Sequence, residues 1–195
     1  MRYGRIGGGL VVGGWGLLVA GMALSWVAGS VVGGATMSAS LAVVGCGSAL
    51  LAIKGPAPLR GRAVRIGLGI VAVGLLGVAG SSIAAARLTY DPLEDMPTVV
   101  LLLGGGLLLF VGMLVTQLSL IRAGGLARRL GALFFVGLGG IYLMQGLAAL
   151  SPDSVPLQLI TGALALVGGA GFLVGCAGPG LLALRGDRAT VTASA

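Results

Sequence analysis

Apolar residues along the chain fall into six long runs, separated by short segments that hold the charges. One run, 66–86, has no charged residue and no proline over 21 positions. The hydrocarbon core of a bilayer is about 30 Å thick, and a helix needs about 20 apolar residues to cross it. The pattern therefore predicts an all-α polytopic membrane protein, a bundle of six transmembrane helices. The predicted spans are 6–28, 35–53, 66–86, 97–121, 130–150 and 156–177.

The segments between the runs are expected to be loops. Prolines, glycines and charges gather in these segments. The predicted loops are 29–38, 54–65, 87–96, 122–129 and 151–156. The core of the second span is 39–53, and we expect residues 34–38 of the first loop to extend it backwards. Pro179 lies between two glycines and is expected to end or kink the sixth helix, before a short cytoplasmic tail at 178–195.

Composition makes lipid the expected surroundings of the chain. Of its 195 residues 57% are hydrophobic and only 9% are charged, against about 25% charged residues in a soluble domain. Glycine occurs 39 times, about three times its ordinary usage. In membranes glycine lets helix backbones approach closely, so we expect Gly-rich faces to pack within the chain, against other membrane subunits or against a second copy.

The basic residues predict how the chain lies in the membrane. Cytoplasmic loops collect Lys and Arg. If both termini, 54–65 and 122–129 are cytoplasmic, that side holds 11 of the 12 basic residues, and only Arg87 lies outside. The net charge of +7 is then explained by topology, and no nucleic-acid partner is expected. We expect a multi-pass protein of the cell membrane, in a prokaryotic inner or plasma membrane. Eleven of the twelve basic residues are Arg, which is typical of a GC-rich genome.

Three odd-numbered spans begin alike, which suggests three tandem helical hairpins. The matching starts are Arg5-Ile6-Gly7, Arg65-Ile66-Gly67 and Arg129-Leu130-Gly131, at offsets of 60 and 64 residues. A bulky apolar residue follows five positions after each Arg. The alternative is that each entering helix simply needs an Arg at the cytoplasmic face.

Ionisable groups are missing from the predicted spans, which weighs against catalysis. An intramembrane charge is by default a functional group, yet every charged residue lies at or beyond a span end. The chain has no His for haem ligation or acid–base work. The acidic loop with Asp91, Glu94 and Asp95 offers few ligands for a divalent cation. No catalytic, metal or cofactor site is predicted. Cys46 and Cys176 are expected to be small apolar residues, with a disulfide or redox pair as the alternative.

Four uncharged polar residues are the candidate site. Gln145 and Tyr142 lie in the outer half of span five, Thr161 lies on span six and Gln117 lies in the cytoplasmic third of span four. Such groups can join helices at about 0.6–2 kcal/mol per hydrogen bond. The alternative is a polar lining for a solute path or a contact with a lipid headgroup. Gln117 is close enough to the interface for solvation to satisfy its amide.

Three functions remain in competition. The favoured hypothesis is a non-catalytic integral subunit or scaffold of a larger membrane complex, because the loops are short and glycine surface is plentiful. The second is a small transporter or channel for a neutral or apolar solute, with Gln145, Tyr142 and Thr161 along the path. An intramembrane enzyme is the least favoured, because neither an activated nucleophile nor a pair of membrane carboxylates is visible.

Overall fold

In a computed structural model of the chain, the residues 2–27, 30–85, 96–150 and 155–192 are described, and these form helices and short turns without any strand. Six of the helices are long and apolar enough to cross a membrane, as the sequence predicts. The helices are α1 (Arg2–Val27), α2 (Ser30–Lys54), α3 (Arg62–Ala85), α4 (Met96–Ala123), α5 (Gly125–Leu150) and α6 (Val155–Thr192). A 3₁₀ turn, Ala57–Leu59, lies between α2 and α3.

The six helices form three hairpins, and the prediction of tandem hairpins is confirmed. The most extensive packing joins α1 to α2, α3 to α4 and α5 to α6. Each hairpin also contacts the next along the chain, and α6 contacts α1, which closes the ring. The polypeptide is thus a polytopic membrane bundle in which the start of α1 and the last part of α6 lie at the same end.

The prediction of an uncharged loop at 29–38 is wrong. Helix α2 begins at Ser30, directly after a gap of two residues that the structure does not describe. The hydroxyls of Thr36 and Ser38 donate hydrogen bonds to the carbonyls of Val32 and Gly34, one helical turn back. Small polar residues satisfied in this way can continue a helix, so their presence does not mark a loop.

The prediction of a basic loop at 122–129 is also wrong. Helix α4 ends at Ala123 and α5 begins at Gly125, so the connection is little more than Gly124. Gly124 and Gly125 have φ angles of 79° and 55°, in the left-handed region that glycine adopts without steric penalty. The three arginines of this segment therefore belong to helices: Arg122 to the last turn of α4, Arg128 and Arg129 to the first turns of α5.

Helix α6 does not end near Ala177. It continues through Pro179 to Thr192, so the first part of the expected tail is helical. Gly180, Leu182 and Ala183 are buried. A Cβ placed on Gly8 of α1 would lie 2.8 Å from the Gly180 carbonyl oxygen and 3.0 Å from the Ala183 Cβ. Close packing of α6 against α1 thus stabilises the helix beyond its proline.

The hairpins repeat one contact, in a register that differs from the predicted one. In the second hairpin a Cβ on Gly74 would meet the carbonyl oxygen of Gly105 and the backbone nitrogen of Leu109; in the third, a Cβ on Gly137 would meet the same atoms of Gly168 and Phe172. All three positions are shifted by 63 residues. The expected offset of 64, which aligned Arg129 with Arg65, is therefore off by one.

The first hairpin makes the corresponding contact between Gly14, the Ser40 carbonyl oxygen and the Val44 backbone nitrogen. Gly14 precedes Gly74 by 60 residues, so the first of the two predicted offsets agrees with the packing.

The buried core occupies the half of the bundle that carries the basic residues. Leu51, Leu59, Leu75, Leu120 and Phe134 are all at most 1% exposed. In α4, α5 and α6, the stretches 100–111, 136–147 and 158–174 each bury a single residue. These residues are Gly105, Gly137 and Gly168, all of which take part in the repeated contact.

Candidate functional site

Most polar side chains in the bundle are satisfied within their own helix. The hydroxyl of Thr116 donates to the Gly112 carbonyl at 2.8 Å, and that of Ser81 donates to the Val78 carbonyl at 2.8 Å. Ser119 does the same toward Val115. Each of these hydroxyls uses its only donor within its own helix, so it does not need a donor–acceptor pair with a neighbouring helix.

Gln117 is the exception, because its amide reaches from α4 to α6. The Gln117 Nε2 donates a hydrogen bond of 3.0 Å to the carbonyl oxygen of Gly175. In an α-helix the carbonyl of residue 175 would accept from the N–H of residue 179, four positions later. Residue 179 is proline, which has no N–H. Gln117 therefore supplies the donor that Pro179 lacks, and it does so between two hairpins.

The expectation that water satisfies Gln117 at the interface is wrong. The side chain is 0% exposed. Its Oε1 accepts no hydrogen bond from the residues that the structure describes. The spacing of Gly175 and Pro179 signals a carbonyl in need of a donor, but the sequence does not reveal which helix supplies it.

The other three candidate residues lie away from Gln117. Tyr142 is 60% exposed and Gln145 is exposed as well, on the opposite half of α5 from the basic end. Thr161 is half-buried, and its hydroxyl donates to the Gln158 carbonyl of its own helix at 2.9 Å. The structure thus does not bring the four residues together in one place.

The two cysteines are free thiols and are not joined to each other. Cys176 is buried in the core beside Phe134 and Leu130, whereas Cys46 is exposed on α2. Among the described residues no group of three or more Cys, Asp or Glu side chains could hold a metal ion. The acidic segment Asp91, Glu94 and Asp95 lies outside the described residues.

Trp15 belongs to the core and is only 8% exposed. Its Nε1 finds no acceptor in the part of the chain that the structure describes. The ring therefore contributes bulk to the packing of the core.

Glycines of the bundle divide into two groups by what a side chain would meet. At Gly7, Gly14 and Gly21, one face of α1, a Cβ would press on α2 at 3.2 Å or less. At Gly9, Gly13 and Gly16, nothing lies within 4 Å of such a Cβ. The first group is explained by the contact with α2, and the second is not explained by any contact among the residues that the structure describes.

Gly9, Gly13, Gly16 and Ala20 form one continuous stripe, here called the α1 stripe. Successive residues of an α-helix are turned by about 100°, so these four positions lie within a narrow sector of the helix surface. All four are exposed, on the side of α1 away from its contacts with α2 and α6. The α1 stripe is therefore a flat surface at which another helix backbone can approach closely.

The repeat provides an internal comparison for the α1 stripe. Helices α3 and α5 occupy the same place in their hairpins, and there the corresponding positions include large side chains. Val73, Leu76, Val136 and Leu143 are 60%, 44%, 68% and 55% exposed. Ordinary lipid-facing positions of this fold thus accept branched apolar residues, and only α1 has small residues at all four. The compared positions are 9, 13, 16 and 20 in α1, 69, 73, 76 and 80 in α3, and 132, 136, 139 and 143 in α5.

Comparison with known proteins gives no relative: no family model, no curated protein and no solved structure matches the chain.

Proposed function

We propose that the protein is a non-catalytic integral subunit or scaffold of a membrane complex, and that it docks its partner on the α1 stripe. The observation that carries this proposal is the set of four exposed small residues on α1, which no contact in the described part of the chain requires. Association of helices in lipid depends on close van der Waals packing and on small residues at the interface. A run of four such positions meets that requirement.

The energetic cost of glycine within a helix gives a second argument for a partner at the α1 stripe. Glycine in a helix interior is less favourable than alanine by about 0.8–1.0 kcal/mol. At Gly7 or Gly14 this cost is offset by the packing of α1 on α2. At Gly9, Gly13 and Gly16, as at other open glycines such as Gly80 and Gly104, no contact among the described residues offsets this cost. A helix packed on the α1 stripe would offset it at three positions at once.

The partner we propose is a transmembrane helix, either of a different membrane subunit or of a second copy of this chain. We place the complex in the cell membrane of a prokaryote, with the basic end of the bundle and both termini in the cytoplasm. The concentration of Arg and Lys at that end supports this orientation.

The transport alternative has weaker support. Its expected path residues Gln145 and Tyr142 project from exposed positions of α5, and Gln117 is committed to Gly175. These placements favour the subunit hypothesis over a polar path.

The test compares the Gly13→Leu variant with Gly80→Leu. Both substitutions add the same side chain at an open glycine, one in the α1 stripe and one on α3. Each protein is purified in a mild detergent, its mass is measured by light scattering, and co-purifying polypeptides are identified by mass spectrometry. We expect the wild type and Gly80→Leu to retain a partner chain and Gly13→Leu to lose it. A wild type that runs alone as a monomer, or equal behaviour of the two variants, would refute the proposal.

A further inference from the structure

A second feature of the bundle lies at its basic end, between the end of α2 and the start of α3. A surface pocket of about 500 Å³ opens there, lined by Ile53, Lys54, Gly55, Arg60 and Arg65. Ligand pockets in proteins typically measure about 300–1,000 Å³. The pocket therefore has room for a phosphate group together with a substituent.

Two of the three cations are held in place by neighbouring elements. The Arg65 Nε donates a hydrogen bond of 2.7 Å to the carbonyl oxygen of Ala52, in the last turn of α2. This bond uses the Nε–H, so the donors of the two terminal Nη groups remain available to a ligand in the pocket that Arg65 lines. The Lys54 Nζ lies 4.3 Å from the centroid of the Tyr3 ring, a cation–π contact that joins α2 to α1.

The third cation, Arg60, sits on a backbone that is fixed from both sides. Its N–H donates to the Ala57 carbonyl at 3.2 Å, which closes the 3₁₀ turn. The preceding residue, Leu59, is 0% exposed and anchors the turn in the core. The turn thus presents the Arg60 side chain at the pocket from a rigid base.

The segment 54–65 itself contains no acidic residue. All five acidic residues of the chain lie elsewhere in the sequence, at Asp91 or beyond. Three cations that share one pocket repel each other, and an anion that enters relieves this repulsion. Arginine side chains in particular suit phosphate, because the planar guanidinium can donate two parallel hydrogen bonds.

We propose that this pocket binds a phosphate group, in the form of the phosphodiester of an anionic lipid headgroup or of a free phosphate. Basic pockets at the ends of transmembrane helices on the cytoplasmic side are suited to anionic headgroups. Ile53, which is 66% exposed, places an apolar side chain at the pocket's rim, next to where the acyl chains of a lipid would run. The site is separate from the α1 stripe, and it stands whether or not the stripe binds a partner.

The experiment uses the full chain in a neutral detergent, titrated with short-chain phosphatidylglycerol and followed by native mass spectrometry. Phosphatidylcholine of the same chain length is the matched lipid, because it carries the same phosphodiester with a compensating cation. The variant is Arg60→Gln, whose side chain lines the pocket. Its control is Arg62→Gln, which removes the same charge at an exposed position in the first turn of α3, outside the lining.

We expect phosphatidylglycerol to bind more tightly than phosphatidylcholine and Arg60→Gln to weaken its binding about tenfold, the effect of losing a hydrogen bond to a charged group. Arg62→Gln should change the affinity for phosphatidylglycerol less than about twofold. Arg60→Lys should retain part of that affinity. Competition with inorganic phosphate distinguishes the two possible ligands, a free phosphate and a lipid headgroup. If it displaces the lipid at millimolar concentration, the phosphate alone is recognised; if it does not, the lipid as a whole is the ligand.

Equal binding of the two lipids without any binding of inorganic phosphate would overturn the proposal. So would equal losses in Arg60→Gln and Arg62→Gln. Circular dichroism and the elution volume of each variant show that a loss of binding does not reflect a loss of fold.

Discussion

Gln117 on α4 donates a hydrogen bond of 3.0 Å to the Gly175 carbonyl on α6, the carbonyl whose helical donor is missing because residue 179 is proline. A side chain from one hairpin thus completes the backbone hydrogen bonding of another. In lipid an unpaired backbone group costs several kcal/mol, so a proline inside a spanning helix needs such a partner. This pairing explains how α6 continues past Pro179.

Replacing Gln117 with Leu should therefore destabilise the bundle. The Gly175 carbonyl would remain buried without a donor, at a cost of about 1–3 kcal/mol. The check is thermal unfolding in detergent of four proteins: the wild type, Gln117→Leu, Pro179→Ala and the double variant. Alanine restores the helical N–H, so Gln117→Leu should cost clearly less when Pro179→Ala is present. If Gln117→Leu destabilised the bundle equally with Pro or Ala at position 179, the hydrogen bond from Gln117 would not compensate for the proline.

Gly137→Ala should separate α5 from α6. A Cβ at this position would meet the Phe172 backbone nitrogen, and the Gly168 carbonyl oxygen would lie at 2.6 Å. Backbone atoms cannot move aside as a flexible side chain can, so we expect a loss of about 1–3 kcal/mol. Gly139→Ala, two residues away on an open face, is the control and should be neutral or slightly stabilising. Unfolding midpoints of the two variants decide the matter, and similar midpoints would contradict the packing described.

The turn between α4 and α5 should require glycine at position 124. Its φ of 79° is in the left-handed region, which costs other residues about 1–2 kcal/mol. Gly124→Ala is compared with Gly104→Ala, a glycine within α4 whose Cβ would also be in open space. Chemical or thermal unfolding should show a loss only for Gly124→Ala. If both variants were as stable as the wild type, the turn would have another conformation.

The two cysteines should differ in their reaction with a small lipid-soluble maleimide. Cys46 is exposed and Cys176 is buried in the core. We expect one label per chain in the folded protein and two after unfolding, and Cys46→Ala should abolish the first. Two labels on the folded protein would mean that the core around Cys176 is open.

Sequence patterns predict the architecture of this protein well. Six apolar runs of spanning length give the six helices, because a helix is the only open-chain element that satisfies its own backbone in lipid. The Arg-Ile-Gly starts at residues 5 and 65 identify equivalent helices correctly. The predicted alignment of the third start, at Arg129, is wrong by one residue. In a chain so rich in glycine several alignments look alike, and only the packing contacts distinguish them.

Details of the site were harder to predict. The Gly124-Gly125 pair marks a turn in the sequence, but the sequence does not show that α4 and α5 continue up to these two glycines and so replace the expected eight-residue loop. Pro179 indicates that the Gly175 carbonyl lacks a donor, yet the choice of Gln117 depends on how hairpins two and three pack together. The α1 stripe is visible as a spacing of small residues, but whether those glycines face a neighbour or open space is a property of the fold.

The most direct test of the whole account is the accessibility of both ends of the bundle in intact cells. In a Cys46→Ala, Cys176→Ala background, single cysteines are placed by Ala63→Cys at the basic end and by Met96→Cys at the opposite end, both at exposed positions. A membrane-impermeant maleimide is then applied before and after permeabilisation. The account predicts that Met96→Cys is labelled in intact cells and Ala63→Cys only after permeabilisation. Labelling of Ala63→Cys in intact cells, or equal labelling of both ends, would contradict it.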